Sequence, residues 1–407
     1  MSSTWQNKYN ELRDYISKNT SIHIDRFVMI IPDDVRPEFY RLFDGIRTEY
    51  IRENFPGLLE EATLLGAKYA EARDVVAARL NLKSIETSPT LKWFLDDPVK
   101  GLIHGLSDPL FDLIRGTATL PDFEETAAGI VGKKSAEYFH NGYRHWVTLS
   151  LLRLLLPDEA YIVPLPDQFE EPELNDAETI PGVNIHEVPR IEKAETVQLD
   201  FSQYTPFIGP NVVVHSGLLN AFAGMRDGYN NIFRRARALS KKVEWHKMEG
   251  IRQRYGTNLL WPDLGIYLQG MKERVKILAE YFHAARPDVI ADVIAAHGWR
   301  EEDALKLAKR HNDILKPRGG SFIISREPPA AAPPETSPGF GAEAGASGEQ
   351  NQQVTGADTT QAGEHYPDVT VLVVGYDEGK LQPVIDALKS LEVTPADEED
   401  ELEEIYG

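Results

Sequence analysis

Nine basic residues stand between positions 226 and 254: Arg226, Arg234, Arg235, Arg237, Lys241, Lys242, Lys247, Arg252 and Arg254. Only Asp227, Glu244 and Glu249 oppose them. The spacing predicts a helix with Ile232, Ala236, Leu239 and Val243 on its buried face and Arg234, Arg237 and Lys241 on another. Such a face holds phosphates through charge, and Tyr229 and Trp245 are at hand to stack on bases. Arg234, Arg235, Arg237, Lys241, Lys242, Arg252 and Arg254 are therefore the expected binding residues, for nucleic acid or another polyanion. The same face would equally suit an acidic protein surface.

Hydrolytic chemistry has weaker carriers. A metal-dependent nuclease places an acidic residue on one strand and an acidic-x-lysine on the next, so that a metal bridges the carboxylates and activates water. Asp368 ahead of a strand at 369–374, with Glu378-Gly379-Lys380 after it, matches this loosely. Pro210-Asn211 before Val212-Val213-Val214 has the place but lacks the acid. His140 and His145, five apart, do not share a helix face, and no histidine pair has the four-residue spacing of a helical zinc site. His215 stands alone beside Ser216, and His311 stands near a helix C-terminus, where it complements the dipole. Ser216 lacks the flanking glycines of a nucleophile elbow. Val374 to Lys380 is too short and too acidic for a phosphate loop. Trp261-Pro262-Asp263 reads as a pocket lining or as a capped core corner. No metal and no cofactor is expected from these patterns.

The elements that would carry these residues follow from periodicity and punctuation. Residues 1–160 predict a mostly helical domain: helices over 7–17, over 35–54 behind an Asp33-Asp34 cap, over 58–81, and over 123–156, with Gly132 and Gly142 marking a kink or a helix boundary inside the last. Residues 161–326 predict a mixed α/β domain. Prolines through 157–206 mark a connector that becomes a sheet edge. Strands are expected at 212–214, 264–268 and 321–325, and helices at 226–254, 270–285, 289–297 and 300–315. Residues 327–366 are rich in Pro, Ala, Gly, Glu and Gln and predict a disordered linker. Residues 367–394 predict a strand and a helix too few to fold alone, so they are expected to dock and complete the sheet with 212–214 and 321–325. Residues 395–407 form an acidic tail. The fold class is α+β.

Charge is distributed to match. The net charge is −21, but residues 327–407 hold 18 acidic and 2 basic residues, so the remainder is close to neutral. An acidic tail on a long linker is expected to compete with a polyanion for the basic segment. The chain has no cysteine, which excludes disulfides, thiolate metal sites and cysteine nucleophiles. Its most apolar run, Trp146 to Leu156, is interrupted by Arg153 and falls short of the roughly 20 residues of a membrane span. With a polar N-terminus, a cytoplasmic location is expected. Three readings remain: a binding or regulatory protein acting through 226–254, a metal-dependent hydrolase of the α+β domain, and a scaffold without catalysis.

Overall fold

A computed structural model describes residues 3–162, 192–199, 212–226, 262–270, 287–295, 299–328 and 369–391. The chain opens with α1 (Thr4–Lys18), fixed by a capping box in which Ser3 and Gln6 exchange side-chain and main-chain hydrogen bonds. The free amides of Thr4 and Trp5 also meet the Glu53 carboxylate, which ties α1 to the end of α2 (Arg36–Asn54). Between them lies a hairpin of β1 (His23–Ile24) and β2 (Met29–Ile30). Asp33 and Asp34 do not cap α2: the N-cap is Val35, without a side-chain bond, and Asp33 pairs with Arg36 at 2.6 Å. Pro37 in the first turn, where its missing N–H costs nothing, sets the helix start.

The helices α3 (Leu58–Arg79), α4 (Pro89–Asp96), α5 (Pro98–His104) and α6 (Ser107–Arg115) pack around α7 (Leu120–Leu154), with β3 (Ser84–Glu86) between α3 and α4. A Thr119 capping box and Pro121 start α7. From Gly142 to Leu152 every residue of α7 is buried. A helix covered all round has protein on every side, and here the helical layer lies on one side and the sheet on the other. α7 runs as one helix through Gly132 and Gly142, with no helix boundary at either. Gly142 instead permits close packing, because a Cβ there would stand 2.9 Å from Leu65 Cδ2.

Among the described residues the sheet has eight strands, in the order β12-β11-β10-β9-β8-β7-β4-β5. They are β4 (Pro157–Ile162), β5 (Glu192–Lys193), β7 (Val212–Ser216), β8 (Ala221–Arg226), β9 (Leu264–Gly270), β10 (Val289–Ile294), β11 (Ser321–Ser325) and β12 (Val369–Val373). Neighbours from β5 through β10 are antiparallel, while β10, β11 and β12 are parallel. Pro157 opens β4, a position that needs no ladder donor, and β4 with β5 forms one edge as expected. The expected boundary at residue 160 falls inside β4. The run at 196–198 becomes β6 (Thr196–Gln198), which pairs parallel with β3 in a separate two-stranded sheet.

Two further findings differ from the expectations. Residues 289–294 are a strand, not a helix. All six are buried, Val289, Ala291 and Val293 on the α7 face and Ile294 on the other. A short apolar run covered on both faces carries no period to identify it. Residues 221–226 form β8, which the sequence did not announce. Its small residues have little strand preference, and it exists because the turn 217–220, with Asn220 left-handed at φ 48°, folds it back onto β7.

α8 (Glu301–Leu315) covers the second face over β10–β12 and joins the parallel strands β10 and β11. The C-terminal unit docks as expected. β12 pairs with β11 over five residues, and α9 (Gln382–Lys389), preceded by a 3₁₀ turn at Glu378–Leu381, buries Val384, Ile385 and Leu388 against α7 and β10. The mixed α+β architecture is thus a helical layer, α7 with α9 beside it, a sheet, and α8 on the far face. Among the described residues no helix is long and apolar enough to cross a membrane. The linker expected at 327–366 lies outside the described residues from 329 onward, as does the tail at 395–407.

Candidate functional site

The register of the sheet brings one set of strand ends together. Arg226, the last residue of β8, lies opposite Gly265, near the start of β9. Leu264 in turn lies opposite Ala291, toward the end of β10. Because β10, β11 and β12 are parallel, their carboxyl ends finish on this same side. Ligands of α/β sheets gather outside the carboxyl ends of parallel strands.

Two aspartate–histidine pairs occupy this end, one on each face of the sheet. Asp263 precedes β9 behind the buried Pro262. Its Oδ2 accepts the Val293 N–H at 2.8 Å, and its Oδ1 lies 3.0 Å from His140 Nε2 and 3.6 Å from Arg144 Nη1 on α7. The side chains of Asp263 and His140 are each 17% exposed. Burial works against ionisation of Asp263. The His140 contact, the Arg144 charge and the Val293 amide outweigh it and hold the carboxyl below its ordinary pKa.

On the other face, Asp292 meets His311 of α8, with His311 Nδ1 at 2.8 Å and 3.1 Å from the two carboxylate oxygens. The Asp263 main-chain N–H also binds the Asp292 carboxylate, so the two pairs are one network through the sheet. Burial, only partly offset by His311, pushes the Asp292 pKa up. His311 is fully buried. The sequence hinted at this pair in two ways. Asp292 is a charge inside an apolar strand, and His311 continues the apolar stripe of Ala304, Leu307 and Ala308. A buried charge needs a partner.

The rim of the site is built by Arg326 and the β12 loop. Arg326 pairs with Glu61 and with Glu327 (3.2 Å), and its guanidinium lies 5.8 Å from the centre of the Phe139 ring. Tyr143 donates to the Gly375 carbonyl at 2.8 Å, and Tyr376 stands edge-on to Tyr143 and Trp146. Glu378 of the acidic-x-lysine string pairs with Arg153 at 3.1 Å, while Asp368 and Asn211 lie outside the described residues.

The remaining candidates lie elsewhere. His145 is buried beside Leu199, where burial and the neighbouring Arg144 charge hold its pKa well below the ordinary value. His215 Nδ1 sits 2.6 Å from Asp158 at the other end of β7. Ser216 donates to the Leu155 carbonyl, and as the next residue of a strand it points away from His215, so the two are not a nucleophile and its base. Among the described residues no group of three or more His, Asp or Glu is placed to hold a metal ion.

The predicted binding residues Arg234, Arg235, Arg237, Lys241, Lys242, Arg252 and Arg254, with the helix expected to carry them, lie outside the described residues. The helix expected at 270–285 does so from 271 onward. The chain that bears the basic residues nonetheless leaves from Arg226 and returns at Asp263, so both its roots stand at the end of the sheet just described. Comparison of the chain with protein-family models, with curated proteins and with solved structures finds no match.

Proposed function

We propose that this chain binds a polyanion, of the nucleic-acid class, at the end of the sheet where β8 finishes and β9 begins. The observation that carries the reading is the placement of the basic stretch. β8 and β9 are adjacent antiparallel strands, which two residues suffice to join. Here residues 227–263 intervene, and the sheet itself does not require them. Connections of this length in a compact domain are uncommon, and those that occur are usually functional or linker segments. This one bears eight of the nine basic residues of the stretch, and Arg226 stands at its root. Arginine forks and lysine ammonium groups neutralise phosphates without reading base sequence.

The metal-dependent hydrolase is the less supported reading. Asp263 and Asp292 do supply two carboxylates at this end of the sheet, one on each face. However, Asp292 is wholly buried and occupied by His311, and Asp263 is held by His140, Arg144 and the Val293 amide.

Electrophoretic mobility shift with single- and double-stranded DNA and RNA, with and without magnesium, tests the reading. The whole chain is expected to retard all of these. A variant with Arg234, Arg235, Arg237, Lys241 and Lys242 changed to glutamine is expected to bind at least about tenfold more weakly. Absence of a shift, or an unchanged shift in the variant, would overturn the proposal. Magnesium-dependent cleavage would restore the hydrolase.

A further inference from the structure

The sheet ends at β12, and among the described residues nothing pairs with the outer edge of that strand. Monomeric proteins blunt such edges with lysine, proline, a bulge or an inward charge. β12 carries none of these. It reads Val369-Thr370-Val371-Leu372-Val373, and its register with β11 is unbroken over all five residues. The strand is also held firmly in place. Val369 and Val371 pack against the α8 cluster on one face, and Leu372 packs against the main core on the other. Thr370 and Val373 remain exposed. At the opposite edge of the sheet, Lys193 of β5 is paired with Glu159 at 2.7 Å.

We propose that the outer edge of β12 docks a second copy of this chain, β12 lying antiparallel to its own counterpart. The occupant follows from self-complementarity. Antiparallel pairing centred on Val371 sets Val371 opposite itself, Val369 opposite Val373, and Thr370 opposite Leu372. Two of these three kinds of pair join β-branched residues, which suits cross-strand contact, and no charge faces a like charge. The nearest acid among the described residues, Asp377, falls outside the paired run. Stacking β12 on the β5 edge of another copy would build an open chain of sheets, and the charged Lys193 of β5 disfavours it. Pairing β12 with β12 uses one patch twice and closes at two copies. A five-residue strand pair buries well under the ~1,200 Å² of a standard stable interface. The dimer is therefore concentration-dependent and dissociates on dilution.

Sedimentation velocity of the full chain across the micromolar range tests this. The mass is expected to rise from 45.7 kDa toward twice that value. Thr370→Lys sets two ammonium groups diagonally across the pair and is expected to weaken dimerisation about fivefold or more, whereas Thr370→Val is expected to preserve it. Residue 370 is exposed, so both variants should unfold at the wild-type midpoint. Hydrogen exchange over 369–373 is expected to slow with rising concentration in the wild type and not in Thr370→Lys. A chain that stays monomeric throughout, or a dimer that Thr370→Lys leaves unchanged, would overturn the proposal.

Discussion

At the residue scale, the informative groups are the buried ones that titrate. Asp263→Ala would leave His140 and Arg144 without their carboxylate and the Val293 amide without its acceptor. Removing one partner of a buried ionic group costs about 3 kcal/mol, and guanidinium denaturation followed by tryptophan fluorescence would read it. The pH dependence separates the roles. The folded pKa of Asp263 is depressed, so its contribution is whole above the unfolded value of about 3.9 and is lost as pH falls through the folded value. Asp292 has the opposite sign: its raised folded pKa favours the protonated form, so its contribution fades as pH rises above about 3.9. His145 is kept neutral in the fold, so stability should decline below its unfolded pKa of about 6.5, by up to about 1.4 kcal/mol per pH unit. In His145→Leu, stability measured between pH 7 and 5 should become flatter. A slope identical to wild type would show that His145 does not carry it.

These groups also mark what the sequence made legible at this scale. The basic residues of 226–254 were conspicuous because charge is a property of composition. The Asp263–His140 contact spans 123 positions and joins a helix to a strand start. No local pattern encodes such a meeting. Nor was the Asp292–His311 pair anticipated, because 289–297 was expected to be a helix and His311 to complement a helix dipole, whereas the structure makes the first a strand and buries the second against it.

At the element scale, helix–helix distances are set by two glycines with different consequences. A Cβ at Gly66 would meet the Leu95 carbonyl oxygen and Pro98 Cγ at 2.8 Å, and a backbone oxygen cannot swing aside. Gly66→Ala is expected to destabilise by about 1–3 kcal/mol despite the better helix propensity of alanine. At Gly142 the nearest atoms are the side-chain ends of Leu65 and Leu95. Their small displacement roughly offsets the gain of about 1 kcal/mol in propensity, so Gly142→Ala should be close to neutral. Thermal unfolding of the two variants compares them directly, and equal losses would contradict the packing argument. The long helices were readable because their apolar stripes repeat over several turns. β10 was not, because six residues covered on both faces give strand and helix the same pattern. β8 was not, because its strand form comes from its neighbours and not from its own residues.

At the scale of the whole molecule, the C-terminal unit shows how sequence and assembly cooperate. A strand and a helix too small to fold alone close the parallel part of the sheet, and size and pattern together made that docking predictable. α9 runs back along the sheet, so Leu391 comes beside Gly319, near the start of β11. The acidic tail therefore departs from the end of the sheet opposite the roots of the basic stretch. Sixteen residues extend to about 50 Å, more than twice the ~20 Å of a six-residue strand, so the tail still reaches. A chain ending at residue 394 is expected to bind polyanion more tightly than the whole chain at low salt. Equal affinity would remove the tail as a competitor.

The measurement that bears most directly on the central claim is the salt dependence of binding to a short DNA duplex, followed by fluorescence anisotropy. If the basic excursion between β8 and β9 holds phosphates, the logarithm of the association constant should fall linearly with the logarithm of salt concentration, with a slope near −0.9 per phosphate neutralised. The five-glutamine variant should show a shallower slope by about 4. A slope unchanged in that variant, or no binding at low salt, would contradict the account.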